Sequence, residues 1–204
     1  MTRSTASRTA LLRSAAALLA ASLLVGSASA AGLVTSQSST FDADDEGWTI
    51  LGEAQGPVFH ATGGKSGGYV SATDPPGSSG TSYWQAPAKY LGDRSGAFNG
   101  NLSYDVRDVG AGTVFGDPDV SVQGGGLALS FRQRKRPKGS KWTHFSVTLH
   151  GRTGWVDAQT GRRATKQQMQ TALASLDALL VRGEYRNGPE TFDLDNVVLR
   201  VKAQ

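Results

Sequence analysis

The chain has 204 residues, 21 Lys and Arg against 17 Asp and Glu, and no cysteine. The absence of cysteine excludes disulfides, Cys-ligated zinc and a lipid anchor on an N-terminal cysteine, so stability has to come from a packed core. Arg3, Arg8 and Arg13, the apolar run over residues 15–25, and Ala28-Ser29-Ala30 make the three parts of a secretory signal, with cleavage expected near Ala30. That run is shorter than the roughly 20 residues a spanning helix needs, and no later segment is longer or more apolar, so no membrane insertion is expected. Loss of residues 1–30 takes away three arginines and no acid, leaving 18 cationic side chains against 17 acidic ones, a net of +1. The formal +4 of the whole chain therefore gives no support to general nucleic-acid binding. The remaining residues are enough for one domain burying about 70% of its unfolded surface.

Residues 31–40 are small and polar and read as a flexible lead-in. From Phe41 onward, short apolar-alternating runs are broken by Gly, Pro, Asp and Asn: 48–53, 58–62, 69–73, 82–86, 102–107, 120–123, 127–133, 142–150 and 155–157. Leu102, Tyr104 and Val106 oppose Ser103, Asp105 and Arg107. Leu127, Leu129 and Phe131 oppose Ala128, Ser130 and Arg132, and Phe145, Val147 and Leu149 oppose His144, Ser146 and Thr148. Each is a strand with one core face. Many short strands with Gly-rich turns predict an all-β sandwich or jelly roll.

One helix stands out. Thr165 with Gln168 three residues on is a capping box, and Met169, Leu173, Leu176 and Leu180 follow at spacings of four, three and four. A strand over 180–185, the Asn187-Gly188-Pro189 turn and a last strand with Val197, Leu199 and Val201 on one face complete the chain.

Taken in order, these pieces resemble the laminin B domain, also called laminin IV type A. Phe41-Asp42 with Gly47-Trp48 is similar to the opening of that family. Residues 83–93 (YWQAPAKYLGD) resemble its aromatic, Ala-Pro, aromatic-Leu-Gly-Asp segment, and residues 98–104 (FNGNLSY) its Gly, Leu-Ser-Tyr strand. Trp155, the Thr165 helix, residues 180–185 (LVRGEY) and Leu194-Asp195-Asn196-Val197 follow in family order. The resemblance covers about residues 41–201 and implies a β-sandwich of the galactose-binding, jelly-roll kind. Laminins set this domain among Cys-rich modules, whereas here it stands without them.

Similar jelly-roll carbohydrate-binding modules place a calcium ion between first and last strands. By that likeness Asp42, Asp195 and carbonyls of the 63–68 loop are the candidate Ca2+ ligands, the alternative being that both acids cap turns and face water. An EF-hand over 42–53 fails for want of flanking helices. Gly64-Lys65-Ser66-Gly67-Gly68 opens a strand, so it is neither a nucleophile elbow nor a P-loop. His60, His144 and His150 form no metal motif. The run Arg132, Arg134, Lys135, Arg136, Lys138 and Lys141 carries no acid, and Pro137-Lys138-Gly139 reads as the tip of a hairpin joining 127–133 to 142–150. That pairing puts Trp142 on the polar face opposite Arg132. The candidate ligand-binding residues are therefore Trp142, Arg132, Arg134, Lys135 and Arg136, an aromatic beside cations that suits an acidic sugar; the alternative is a loop-packed Trp142 under a solvated tip. The functional expectation is a secreted, extracellular or periplasmic, non-catalytic module binding a glycan or a matrix or envelope protein. A purely structural adhesion domain and a hydrolase with an unrecognised site are the alternatives.

Overall fold

The computed structural model describes residues 33–202; the expected signal segment lies outside the described residues. The strands are β1 (Leu33–Ser39), β2 (Thr49–Leu51), β3 (Gln55–His60), β4 (Tyr69–Asp74), β5 (Tyr83–Gln85), β6 (Asn101–Gly110), β7 (Val120–Gly124), β8 (Leu127–Phe131), β9 (Thr143–Thr148), β10 (Val156–Asp157), β11 (Leu176–Arg182) and β12 (Glu190–Lys202), with a single α-helix, α1 (Lys166–Ala174), among the described residues. They form two antiparallel sheets of six strands. Sheet I runs β3-β4-β12-β6-β9, with β1 on the second half of β12; sheet II runs β10-β8-β7-β11-β5-β2. This is the expected all-β, jelly-roll-like sandwich.

The alternation read from the sequence is the reason the sheets stack. Leu102, Tyr104 and Val106 of β6, Phe145 and Val147 of β9, and Leu129 of β8 are at most 4% exposed; the alternate residues of β9 are exposed, whereas Ser103 and Asp105 of β6 are covered on the opposite face. Phe41, Trp48 and Tyr90, drawn from the segments that carry the family resemblance, make one aromatic cluster in the core. Trp48 lies edge-on to Phe41 at 6.4 Å and to Tyr90 at 5.5 Å. Their polar ends are satisfied: the Trp48 indole N–H donates to Ser39 Oγ at 2.9 Å, and the Tyr90 hydroxyl donates to the Val197 carbonyl at 3.1 Å.

Three expectations need correction. Most of the lead-in over 31–40 is β1, which pairs antiparallel with β12 from Leu33↔Lys202 to Ser39↔Val197. Backbone pairing and the buried Ser39 hydroxyl hold it, which a small polar composition does not reveal. The helix is shorter than the apolar stripe: Thr165 and Gln168 make the full capping box, but α1 ends at Ala174 with Ser175 as its C-cap. Leu176 already exchanges both backbone hydrogen bonds with Gly92, at 2.8 and 2.9 Å, so it and Leu180 belong to β11. Most consequential, 127–133 and 142–150 are not a hairpin. β8 lies in sheet II between β7 and β10, and β9 is the edge of sheet I beside β6. The basic run is a crossover between sheets, and its only tight turn is local, at the Lys138↔Lys141 bridge.

Candidate functional site

The outer face of sheet I gathers side chains that the sequence scatters. Register aligns Val58, Ser71, Asp193 and Arg107 in one row across β3, β4, β12 and β6. His60 and Tyr69 share the next row, which Asp195, Asp105 and His144 continue. Trp142 enters β9 one residue before Thr143, the partner of Val106, and so sits beside Arg107. The Arg107 guanidinium lies 4.6 Å from the Trp142 ring centroid and 5.0 Å from that of Tyr69, and the two rings meet edge to face at 5.6 Å. Arg107 Nε also donates to Asp193 at 2.6 Å. Burial raises the Asp193 carboxyl above its usual range while Arg107 pulls it back. His60 stacks on Tyr69 at 4.4 Å and shares a 2.8 Å hydrogen bond with Ser71. Ser71 is buried, so this contact orients the imidazole rather than presenting a nucleophile to solvent.

The outcome is a half-buried aromatic pair, Tyr69 and Trp142, clamped on a guanidinium and surrounded by carboxyl and hydroxyl groups. Trp142 thus packs on Arg107 and Tyr69 rather than on Arg132. Its cation is Arg107 of β6, a residue whose parity the sequence displays but whose partner only the sheet order reveals.

The other four expected ligand residues go elsewhere. Arg132 donates to the Gly116 carbonyl at 3.0 Å, and Arg136 reaches the fully buried Asp119 carboxylate at 3.3 Å. Arg134 and Lys135 are exposed and line a cavity of about 280 Å³ with Gln133 and His144 at the sandwich edge. The five residues therefore do not form one site.

Asp42 and Asp195 do approach the same loop. A Cβ at Gly67, whose φ is +77°, would lie 3.1 Å from Asp42 Oδ1, and one at Gly64 would lie 2.2 Å from the Gly68 carbonyl and 2.7 Å from Asp195 Oδ2. The loop, however, turns N–H groups toward Asp195: Lys65 N donates at 2.7 Å and Ser66 N at 3.2 Å to Oδ2, and Asn196 N at 2.6 Å to Oδ1. Asp42 is exposed and accepts from the Thr40 hydroxyl. Calcium needs six to eight oxygens. Among the described residues no group of three or more acidic, His or Cys side chains is placed to hold a metal. Asp195 Oδ2 is thus held by loop N–H groups, with the Gly68 carbonyl nearby, while Asp42 faces solvent.

Asp195 has a structural task instead. At residues 195–198 the register of β12 against β6 shifts, and its opposite edge changes partner from β4 to β1. Asp195 plugs this junction and ties the 63–68 loop across it. It is completely buried, and burial pushes its carboxyl up to about 6 against the three N–H donors that favour the anion.

A second polar group lies in the LVRGEY segment, whose sequence does not reveal that its arginine is buried. Arg182 is fully buried under the 115–119 segment. It donates to the carbonyls of Glu184, Asp117 and Phe115 at 2.5, 3.2 and 3.2 Å and is flanked by the Phe115 and Tyr185 rings. Next to it, Arg186 Nε donates to both Asp108 oxygens at 3.1 and 2.8 Å. Glu190 accepts the Tyr185 N–H, and burial, then its contact with Asp108, drives its carboxyl well above the ordinary range. These residues clamp the end of the sandwich beneath a cavity of about 320 Å³ whose lining includes Thr81, Phe115, Asp117 and Glu184.

With the geometry in hand, the comparisons fix the class. The family model for Laminin B (Domain IV) matches residues 83–204, and the chain belongs to that family. Among relatives, it is 32% identical over 127 residues to laminin subunit alpha-1 of Mus musculus, covering 59% of this chain and 4% of that protein. It is 29% identical over 107 residues to the basement membrane proteoglycan of Caenorhabditis elegans, covering 52% of this chain and 3% of the relative. The chain thus spans only a few hundredths of the length of these relatives. Among solved structures, the L4b domain of human laminin alpha-2 superposes with a TM-score of 0.66 at 14% identity, over 83% of this chain and 99% of that domain. A family 11 carbohydrate-binding module of Clostridium thermocellum gives 0.51 at 16% identity, over 86% and 97%. At these identities the likeness is one of fold.

Proposed function

We propose that the chain is a secreted, non-catalytic Laminin B module whose sheet I outer face binds an extracellular glycan. The single observation that carries this reading is the Tyr69–Arg107–Trp142 cluster. β4, β6 and the residue leading into β9 deliver these half-buried groups to one outer face, and packing of the core does not require it. A half-exposed indole offers a flat apolar area for the C–H face of a pyranose, and the Arg107 guanidinium and the exposed His144 imidazole supply hydrogen bonds to hydroxyls, held in place by the buried Asp193 and Asp105 carboxyls beneath them. Because Asp193 neutralises Arg107 and Asp105 adds a carboxylate, this face suits neutral sugars rather than the acidic ones expected from the sequence run. Extracellular placement is supported by the signal-like N-terminus and by the basement-membrane relatives; the carbohydrate-binding-module likeness is compatible with the ligand class.

The exposed Val58 and Val109 lie on the same face, at 53% and 47%, and favour a second reading in which a matrix protein packs there. A glycan-array screen of residues 31–204, with and without Ca2+, separates the two. The glycan reading expects neutral oligosaccharide hits that Trp142→Ala abolishes and that chelation leaves unchanged. A blank array alongside a matrix-protein interaction blocked by Val58→Asp would replace it with the protein reading.

A further inference from the structure

The domain is nearly neutral, yet its charge is distributed very unevenly. Residues 120–166 contain ten Lys and Arg against one acid, Asp157, while the rest of residues 31–204 carries eight against sixteen. That stretch is β7 to β10 and the approach to α1. It includes β9, one edge strand of sheet I, and β10, one edge strand of sheet II. The two edges lie on one flank: Gln133 Nε2 donates to the Ser146 carbonyl, and the Trp155 indole N–H to that of Thr148 at 2.9 Å. The positive charge is therefore gathered along one side of the sandwich rather than spread over it.

We infer that this flank is a second binding surface, for an acidic polysaccharide. Two cavities lie on it. One, of about 390 Å³, is lined by Arg152, Arg163 and Lys166 with Ala164, Thr165 and Gln167; the other is the Arg134–Lys135–His144 cavity. Neither contains a carboxylate. Among the described residues none of these five Lys and Arg side chains is within salt-bridge distance of an acid. Asp157, the one acid of residues 120–166, is spent on the N–H groups of Gln159 and Thr160 and on Gln168 Nε2, and the nearby Asp105 and Asp119 are held by His144 and Arg136. The start of α1 contributes little, because its capping box already occupies the Gln168 N–H. What remains is an array of unpaired cations lining open concavities, which attracts a polyanion and repels its own like charges until one binds. Neither the strength of the flank's field nor its position depends on the sheet I reading. The choice of polysaccharide over nucleic acid does rest on taking the module as an extracellular glycan binder.

The test uses immobilised polygalacturonate and dextran sulfate, with dextran as the neutral control and duplex DNA as a competing polyanion. The protein should bind both acidic polysaccharides and not dextran, and affinity should fall about tenfold or more as salt rises past about 0.15 M. The triple variant Arg152→Ser, Arg163→Ser, Lys166→Ser, and separately Arg134→Ser with Lys135→Ser, should each weaken binding about tenfold. All five side chains are exposed, so the folded spectrum should persist and make these losses interpretable. Trp142→Ala should leave them intact, which separates failure of this inference from failure of the sheet I reading. Unchanged binding in both multiple variants, or tighter binding of DNA than of either polysaccharide, would overturn the assignment.

Discussion

Arg107 lies 4.6 Å from the centre of the Trp142 ring while its Nε holds Asp193 at 2.6 Å. The guanidinium thus fixes an indole from one side and a carboxylate from the other. It leaves Trp142 the only tryptophan that is not buried, since Trp48, Trp84 and Trp155 are each at most 1% exposed. Acrylamide should therefore quench essentially one emitter. Trp142→Phe should remove most of the quenchable fluorescence with little change in melting temperature, and Arg107→Ala should increase quenching by freeing the ring. Quenching that persists unchanged in Trp142→Phe would show that another indole is accessible.

Asp195 makes the stability pH-dependent in a defined direction. Its buried carboxyl titrates near 6 in the fold, above the roughly 3.9 of a free Asp side chain, so the folded state binds the proton more tightly. Its contribution is fully present below about pH 4 and is lost as pH rises through about 6. Asp195→Asn should flatten the wild-type change over this window in denaturant melts, and Ca2+ should raise the melting temperature of neither protein. A wild-type-only rise with Ca2+ would restore the metal reading for Asp42 and Asp195.

Leu173 is 1% exposed on α1, so Leu173→Ala should cost about 2–5 kcal/mol. Chemical denaturation of the variant measures this directly, and a cost below about 0.5 kcal/mol would place α1 off the core.

What the sequence made legible was periodic. β6, β8 and β9 alternate cleanly, the Thr165–Gln168 cap is spelled out locally, and Phe41, Trp48 and Tyr90 stand in recognisable segments. What it concealed depends on which strand lies next to which. Residues 127–150 look like a hairpin because both flanks alternate around Pro-Lys-Gly, yet β8 and β9 belong to different sheets, a choice made by pairing with β7 and β6. Trp142 stands at a polar-face parity in the sequence, but its neighbour Arg107 follows only from the β6–β9 pairing. Leu176 fits the helical stripe by spacing, but its backbone is claimed by Gly92. The burial of Arg182 and Glu190 was not legible, because it depends on the 115–119 segment and Asp108, more than sixty residues away in the chain.

The central claim is that the outer face of sheet I is the glycan-binding surface. Amide and indole NMR shifts of the isotopically labelled domain, followed during titration with neutral cello-, xylo- and galacto-oligosaccharides, test it most directly. The account predicts saturable shifts centred on the Trp142 indole N–H, Tyr69, Arg107 and Asp193, absent in Trp142→Ala. Shifts confined to sheet II or to the loop ends, with the Trp142 indole unmoved, would contradict it.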